Sequence, residues 1–303
     1  MAMLVFHLRA ARRRALAAAV AEALALLHDL APSAPAGGPL ADRGGVFWVE
    51  LAGRHLTAAT ARLPRLGYST AVDRLVADEA PGRGGGPPAV RWRRRHWRLE
   101  WLYTEDAAGL RERAPDRRVF LVEAGGGPVR PVRGYRGGGD ALARRGLPVC
   151  DARLLVNLVA PARPGWLLDP FAGVGGVALE ARAAGWRVLT ADLDPALRHG
   201  LGRQGAAHLV ADARSLPLRS GSLDAVATEP PYDRAVGSLA DQALAETHRL
   251  LRPGGATAWL CAAWQAAGLR ATAAALGLRV ALDCPVDRKG LEVVALAWRR
   301  PPA

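Results

Sequence analysis

Cysteine is scarce in this chain of 303 residues, and lysine occurs once among 41 basic residues. Cys150, Cys261 and Cys284 lie far apart and form no C-x-x-C pair. That argues against a disulfide framework and against a thiolate zinc site, and fits a reducing cytoplasm. No uncharged apolar stretch approaches the ~18 residues a membrane-spanning helix requires. The N-terminus imitates a secretory signal, with Arg12 to Arg14 followed by "ALAAAVAEALALL". However, the apolar "MLVFHL" precedes the arginines, Glu22 interrupts the run, and Leu16, Val20, Leu24 and Leu27 recur at helical spacing. The segment reads as strand, turn and amphipathic helix. No Gly-Lys-Ser/Thr follows a glycine-rich loop, so a P-loop is excluded. No internal repeat is present.

Arginine, in contrast, is abundant. The net charge is +13, and residues 1–150 hold 24 arginines against 14 acidic residues. Codon bias accounts for arginine in place of lysine, but not for an excess over acids. A basic surface of this kind draws polyanions through phosphate contacts, so nucleic acid is the expected partner of the N-terminal half. Gly/Pro-rich breaks at 31–45, 78–89 and 123–140 mark loops. Between them the pattern predicts a strand at 45–51, a helix at 57–65, a short helix at 70–76, and strands at "VRWRRRHWRLEWLY" and "RVFLVEA". Trp92, Trp97 and Trp101 interleave with arginines that include Arg93, Arg94 and Arg95. That mixture suits stacking on bases and pairing with phosphates, and equally suits a half-buried strand pair with a basic outer face.

After residue 150 short apolar runs alternate with amphipathic helices, from "DARLLVNLVA" through "GWLLDPF", "WRVLTADLD" and "SLDAVATEPP" to "ATAWLCAAW". This rhythm predicts an α/β domain with a mostly parallel sheet. "LRVALDCPV" and "LEVVALAWRR", joined by "DRKG", predict a closing antiparallel hairpin. Arg288 and Lys289 in its turn are candidates for phosphate contact.

The loop "DPFAGVGG" places Gly173 and Gly175 between a strand ending at Asp169 and a helix, where glycine lets the backbone turn sharply and approach a ligand. Gly173, Gly175 and Ala178 formally satisfy G-x-G-x-x-A, which keeps a dinucleotide open. Asp192 ends the second strand and is placed to accept from a ribose diol, which NAD and S-adenosylmethionine share. Asp212, at the end of the third, is placed to meet an adenine edge. A pyrophosphate bed and a second mononucleotide half are not visible, which favours S-adenosylmethionine. In "TEPPYD", Pro230 and Pro231 fix the backbone that aims Glu229.

"LLDPFAGVGG", "TADLDPAL", "ADARSLPL" and "ATEPPYD" resemble successive motifs of class I S-adenosylmethionine-dependent methyltransferases, and most of all the THUMP-containing tRNA guanine-N2-methyltransferases. The resemblance covers residues 151–262, and more faintly "GGVFWVEL" and "ATARLPRLGYSTAVDRL". It implies a Rossmann-like catalytic domain at 151–303, a linker at 134–150 and a smaller basic α+β, THUMP-like RNA-binding domain at 1–133. It implies S-adenosyl-L-methionine held by Asp169, Phe171, Gly173, Gly175, Asp192, Leu193, Asp212 and Ala213. It also implies catalysis by Glu229, Pro230, Pro231 and Tyr232 on an exocyclic base amine, guanine N2 in tRNA, in the cytoplasm and with no metal. Two alternatives are an adenine-N6 methyltransferase on DNA or RNA, and an RNA-binding protein whose methyltransferase domain is inactive. The resembling enzymes mostly carry Asp or Asn where this chain has Glu229.

Overall fold

The computed structural model describes all residues except 13, 35–44, 79–89, 93–94, 106–118, 125–126, 134–145, 161–163 and 289–290. Two sheets organise it. The first has the order β2-β1-β3-β5-β4, built from β1 (Ala2–Leu8), β2 (Val46–Leu51), β3 (Ser69–Asp78), β4 (Val90–Trp92) and β5 (Arg95–Thr104). Its pairings are antiparallel. β1 supplies Leu4, Phe6 and Leu8 to one face, and the Phe6 ring stacks on Phe47 at 4.8 Å.

Residues 70–76 are strand β3 and not the helix predicted for them. Both faces of this strand pack against apolar neighbours. Val72 lies on one face and Leu75 on the other, so the strand shows an apolar i, i+3 spacing that imitates a helix. The predicted loop at 123–140 is likewise strand in part: β6 (Val119–Ala124) pairs antiparallel with β7 (Gly127–Arg133).

The second sheet is Rossmann-like. Its order is β10-β9-β8-β11-β12-β14-β13, from β8 (Trp166–Asp169), β9 (Arg187–Asp192), β10 (Ala207–Val210), β11 (Leu223–Thr228), β12 (Leu251–Ala262), β13 (Arg279–Arg288) and β14 (Leu291–Arg299). The first five run parallel, while β14 lies antiparallel between β12 and β13. The chain order reverses between β8 and β11, and the crevice above such a reversal is where an open α/β sheet binds its ligand. The predicted closing hairpin is present as β13 and β14.

Helix Val149–Leu158 ties the sheets together, with Asp151 to Leu158 all buried. Its Leu154 and Leu155 belong to one continuous apolar cluster with Phe6 and Tyr68 of the N-terminal part and Leu167 and Val286 of the second sheet. The approach is close: a Cβ on Gly67 would lie 2.2 Å from the Cys150 carbonyl oxygen, a backbone atom that cannot swing away. Three donors trapped there share one carboxylate. Glu22, fully buried on helix Leu16–Leu26, accepts from Gly67 N (2.8 Å), Tyr68 N (2.9 Å) and Asn157 Nδ2 (2.9 Å).

Candidate active site

A cavity of about 460 Å³ opens at the carboxyl ends of β8, β9 and β11. Ten of the twelve predicted site residues line it: Phe171, Gly173, Asp192, Leu193, Asp212, Ala213, Glu229, Pro230, Pro231 and Tyr232. Asp169 and Gly175 are not on its wall. Asp169 lies beneath the glycine loop, 2 % exposed, where Oδ1 accepts from Thr228 Oγ1 (2.6 Å) and Phe171 N (3.2 Å). It thereby fastens the end of β8 to the end of β11. Gly175 caps helix Gly176–Ala183 with φ +80°, a left-handed conformation that favours glycine.

Burial pushes the Asp169 carboxyl up to about 7, against the lowering effect of its bond from Thr228. The folded protein therefore holds a proton here that the unfolded chain releases in the usual carboxylate range. The resulting stability is fully present below that range and is lost as pH rises through about 7. Asp169→Asn accepts the same two bonds and does not titrate. Its melting temperature relative to the wild type should thus rise between about pH 5 and about pH 8. A difference constant across that interval, measured by calorimetry, would show an unshifted carboxyl.

Asp192 is aimed by its own backbone surroundings. Oδ2 accepts from Gly173 N (2.9 Å) and Oδ1 from Asp194 N (3.0 Å), which fixes the carboxylate on the cavity wall. Leu193 beside it is 61 % exposed, a large apolar side chain left uncovered on the pocket wall. Asp212 is held by Arg214, whose Nε lies 3.0 Å and Nη2 2.6 Å from its oxygens, and that bond keeps its carboxyl below the ordinary range. The set of an aimed carboxylate, a glycine approach and uncovered apolar walls suits a ribose diol and a flat base.

The opposite half of the cavity is formed by Glu229 to Tyr232 together with Val236, Leu239, Arg288 and Leu291. Glu229 Oε1 accepts from Tyr232 Oη (2.5 Å) and from Arg288 Nη1. The Tyr232 hydroxyl is committed to this carboxylate, and burial first and then the Glu229 charge raise its pKa. Pro231 is fixed from below, its carbonyl accepting from the buried Gln265 Nε2 (2.9 Å).

Arg288 is not the exposed turn residue anticipated from sequence: its side chain is 6 % exposed and faces the cavity. Lys289 lies outside the described residues. Neither Arg288 nor Gln265 carries a local sequence signal, because their partners are 59 and 34 positions away.

Residues 168–259, from β8 into β12, match the methyltransferase domain family. The chain carries a class I S-adenosylmethionine-dependent methyltransferase domain. Two curated relatives align with it. One is the tRNA (guanine(10)-N2)-dimethyltransferase of Methanothermobacter thermautotrophicus, 38 % identical over 89 residues, 27 % of this chain and 26 % of that protein. The other is the ubiquinone/menaquinone biosynthesis C-methyltransferase UbiE of Acidiphilium cryptum, 37 % identical over 112 residues, 34 % of this chain and 44 % of that protein. The chain thus spans less than half the length of either relative. Among solved structures, TrmN from Thermus thermophilus shares the fold along 99 % of this chain and 100 % of its own, with a TM-score of 0.51 at 21 % identity.

The cofactor of the methyltransferase domain is S-adenosyl-L-methionine, and the cavity fits it. Bound there, it supplies an electrophilic methyl group on a sulfonium. Losing Asp192 should weaken binding. Asp192→Ala is expected to cost ~1–3 kcal/mol in the affinity for S-adenosylhomocysteine, the range for hydrogen bonds to a charged group. Unchanged affinity in titration calorimetry would remove Asp192 from the cofactor's contacts.

Proposed function

We propose that this methyltransferase transfers a methyl group to an exocyclic amine of a nucleobase, guanine N2 in tRNA, with the four residues of "EPPY" as its substrate grip. The observation that carries this reading is the setting of Glu229. Its carboxylate stands at the end of β11, across the reversal crevice from the glycine loop, with one oxygen fastened to Tyr232 and Arg288. A base amine is a poor nucleophile, since its lone pair is delocalised into the ring. A fixed acceptor that takes an amine N–H lets the nitrogen pyramidalise and frees the lone pair for in-line attack. The second oxygen of Glu229 and the Pro230 carbonyl would accept the two N–H groups, while the apolar Val236, Leu239 and Leu291 exclude water.

Similarity to known proteins does not choose the substrate, because the chain is similar in part to a tRNA enzyme and to a quinone C-methyltransferase alike. The choice of RNA rests on the "EPPY" corner and on the basic N-terminal half. On β5, Trp101 is 67 % exposed, which suits stacking on a base. Arg93 and Arg94 lie outside the described residues, as do the side chains of Trp92, Arg95 and Trp97. A base must leave its helix to enter the cavity, so a looped or flipped nucleotide is expected.

Mass spectrometry of tRNA nucleosides from a strain lacking the protein should show N2-methylated guanosine reduced relative to the parent. Unchanged guanosine with missing N6-methyladenosine would replace guanine by adenine. Identical profiles in all nucleic acids would end the nucleobase reading.

A further inference from the structure

We propose that Arg288 is the positioning residue for the Glu229 carboxylate, and that a buried chain of charge running through Asp151 to Arg12 holds Arg288 in place. The role of Glu229 as substrate grip is the reading given above; the geometry of the chain stands apart from it. A glutamate has three side-chain torsions, and a carboxylate left loose at a cavity wall samples several of them. Misplacing a catalytic group by about 1 Å costs on the order of 10²-fold in rate, so a grip of this length needs fastening.

The structure supplies it at two points on the same oxygen. Arg288 Nη1 and Tyr232 Oη both donate to Glu229 Oε1, and Nη1 is also 3.0 Å from Tyr232 Oη. Among the described residues no hydrogen bond falls on Oε2, which leaves it for a substrate N–H. Arg288 has its own anchor. Its Nε lies 3.8 Å from Asp151 Oδ2, on the fully buried Asp151 side chain. Asp151 in turn accepts from Arg12 Nε at 3.0 Å, from Arg12 Nη2 at 2.8 Å and from Tyr68 Oη at 2.9 Å.

The turn Ala10–Arg12, the lead into β3 and the end of β13 therefore converge on one carboxylate of helix Val149–Leu158, and the loop after β11 joins them through Arg288. Arg12 and Arg288 balance Asp151 and Glu229, so the chain is neutral as a whole. A simple structural staple is the competing account, but it fits less well. A buried ion pair adds little stability over apolar packing. The ion pair also lines the cavity and does not sit within the core.

The test compares the full-length wild type with Arg288→Met by crystallography, each with S-adenosylhomocysteine. Glu229 is expected in a single conformer in the wild type and displaced or split in the variant, with cofactor affinity unchanged in calorimetry. Glu229 unmoved in Arg288→Met would overturn the proposal. If that variant does not fold, Arg288→Gln, neutral and too short to reach Oε1, is read in the same way. Single-turnover transfer to tRNA from a strain lacking the protein supplies the second readout. Arg288→Ala should lose ~10–10²-fold in the transfer rate at unchanged tRNA affinity, and added guanidinium ion should restore part of it, which a merely structural loss would not allow. Absence of any rescue with Glu229 in place would also overturn it. Should the wild type itself transfer nothing, the nucleobase reading falls, and the crystal structures alone decide the positioning.

Discussion

Glu229→Gln is expected to lower methyl transfer ~10²-fold or more while leaving the affinity for S-adenosylhomocysteine within error of the wild type. The amide keeps the size of the side chain but offers one acceptor in place of two and turns a donor toward the cavity. It also strips Arg288 of its charge partner at the Glu229 end of the chain. The cofactor half of the cavity is built from β8, β9 and β10 and their following loops, and none of its fastenings passes through Glu229. Rate and cofactor binding should therefore separate. A joint loss of both would make the residue a structural part of the pocket, and an unchanged rate would remove it from the chemistry.

The second large effect is expected far from the cavity. Glu22→Ala should destabilise the protein by about 3 kcal/mol or more, because it leaves the donors of Gly67, Tyr68 and Asn157 unpaired in a fully buried place, each worth ~1–3 kcal/mol. In a chain of this size that corresponds to a fall of several degrees in Tm, on the order of 2–4 °C per kcal/mol. Glu22→Gln, which retains an acceptor, should recover part of the loss. Burial raises the Glu22 carboxyl, against the lowering effect of its three hydrogen bonds, so this glutamate sits in its place at some electrostatic expense. A melting temperature for Glu22→Ala equal to that of the wild type would mean that water replaces the lost acceptor.

One half of the candidate site was legible because its residues end a strand or sit in the loop that follows one: Asp169, Gly173, Asp192 and Asp212 follow one another through three successive β-loop units. Strand polarity and loop chemistry are short-range properties, and a single sequence shows them. The other half depends on partners brought together by topology. Glu229 could be found from the prolines that follow it, but not the guanidinium that holds it, since the insertion of β14 between β12 and β13 decides where Arg288 ends. Arg12 and Glu22 were read for their place in an amphipathic helix and its preceding turn, when their charges serve a junction with Asp151 and Asn157. Strand β3 was concealed because it buries apolar residues on both faces, Val72 on one and Leu75 on the other, which blurs the alternation that identifies a strand.

The seam between Gly67 and the Cys150 carbonyl bears on how the chain is made. Ribosomes extend a chain at about 5–20 residues per second, so on the order of several seconds pass between the synthesis of Tyr68 and that of helix Val149–Leu158. Throughout that interval the apolar face later covered by the helix, with Phe6, Leu63 and Leu66 in the same cluster, has no lid. The nascent N-terminal sheet is then a client for whatever binds sticky chains at the tunnel exit, and translation pauses between residues 68 and 150 would lengthen its exposure. Synonymous codon changes in that stretch, which alter no contact in the finished protein, are where soluble yield would be won or lost.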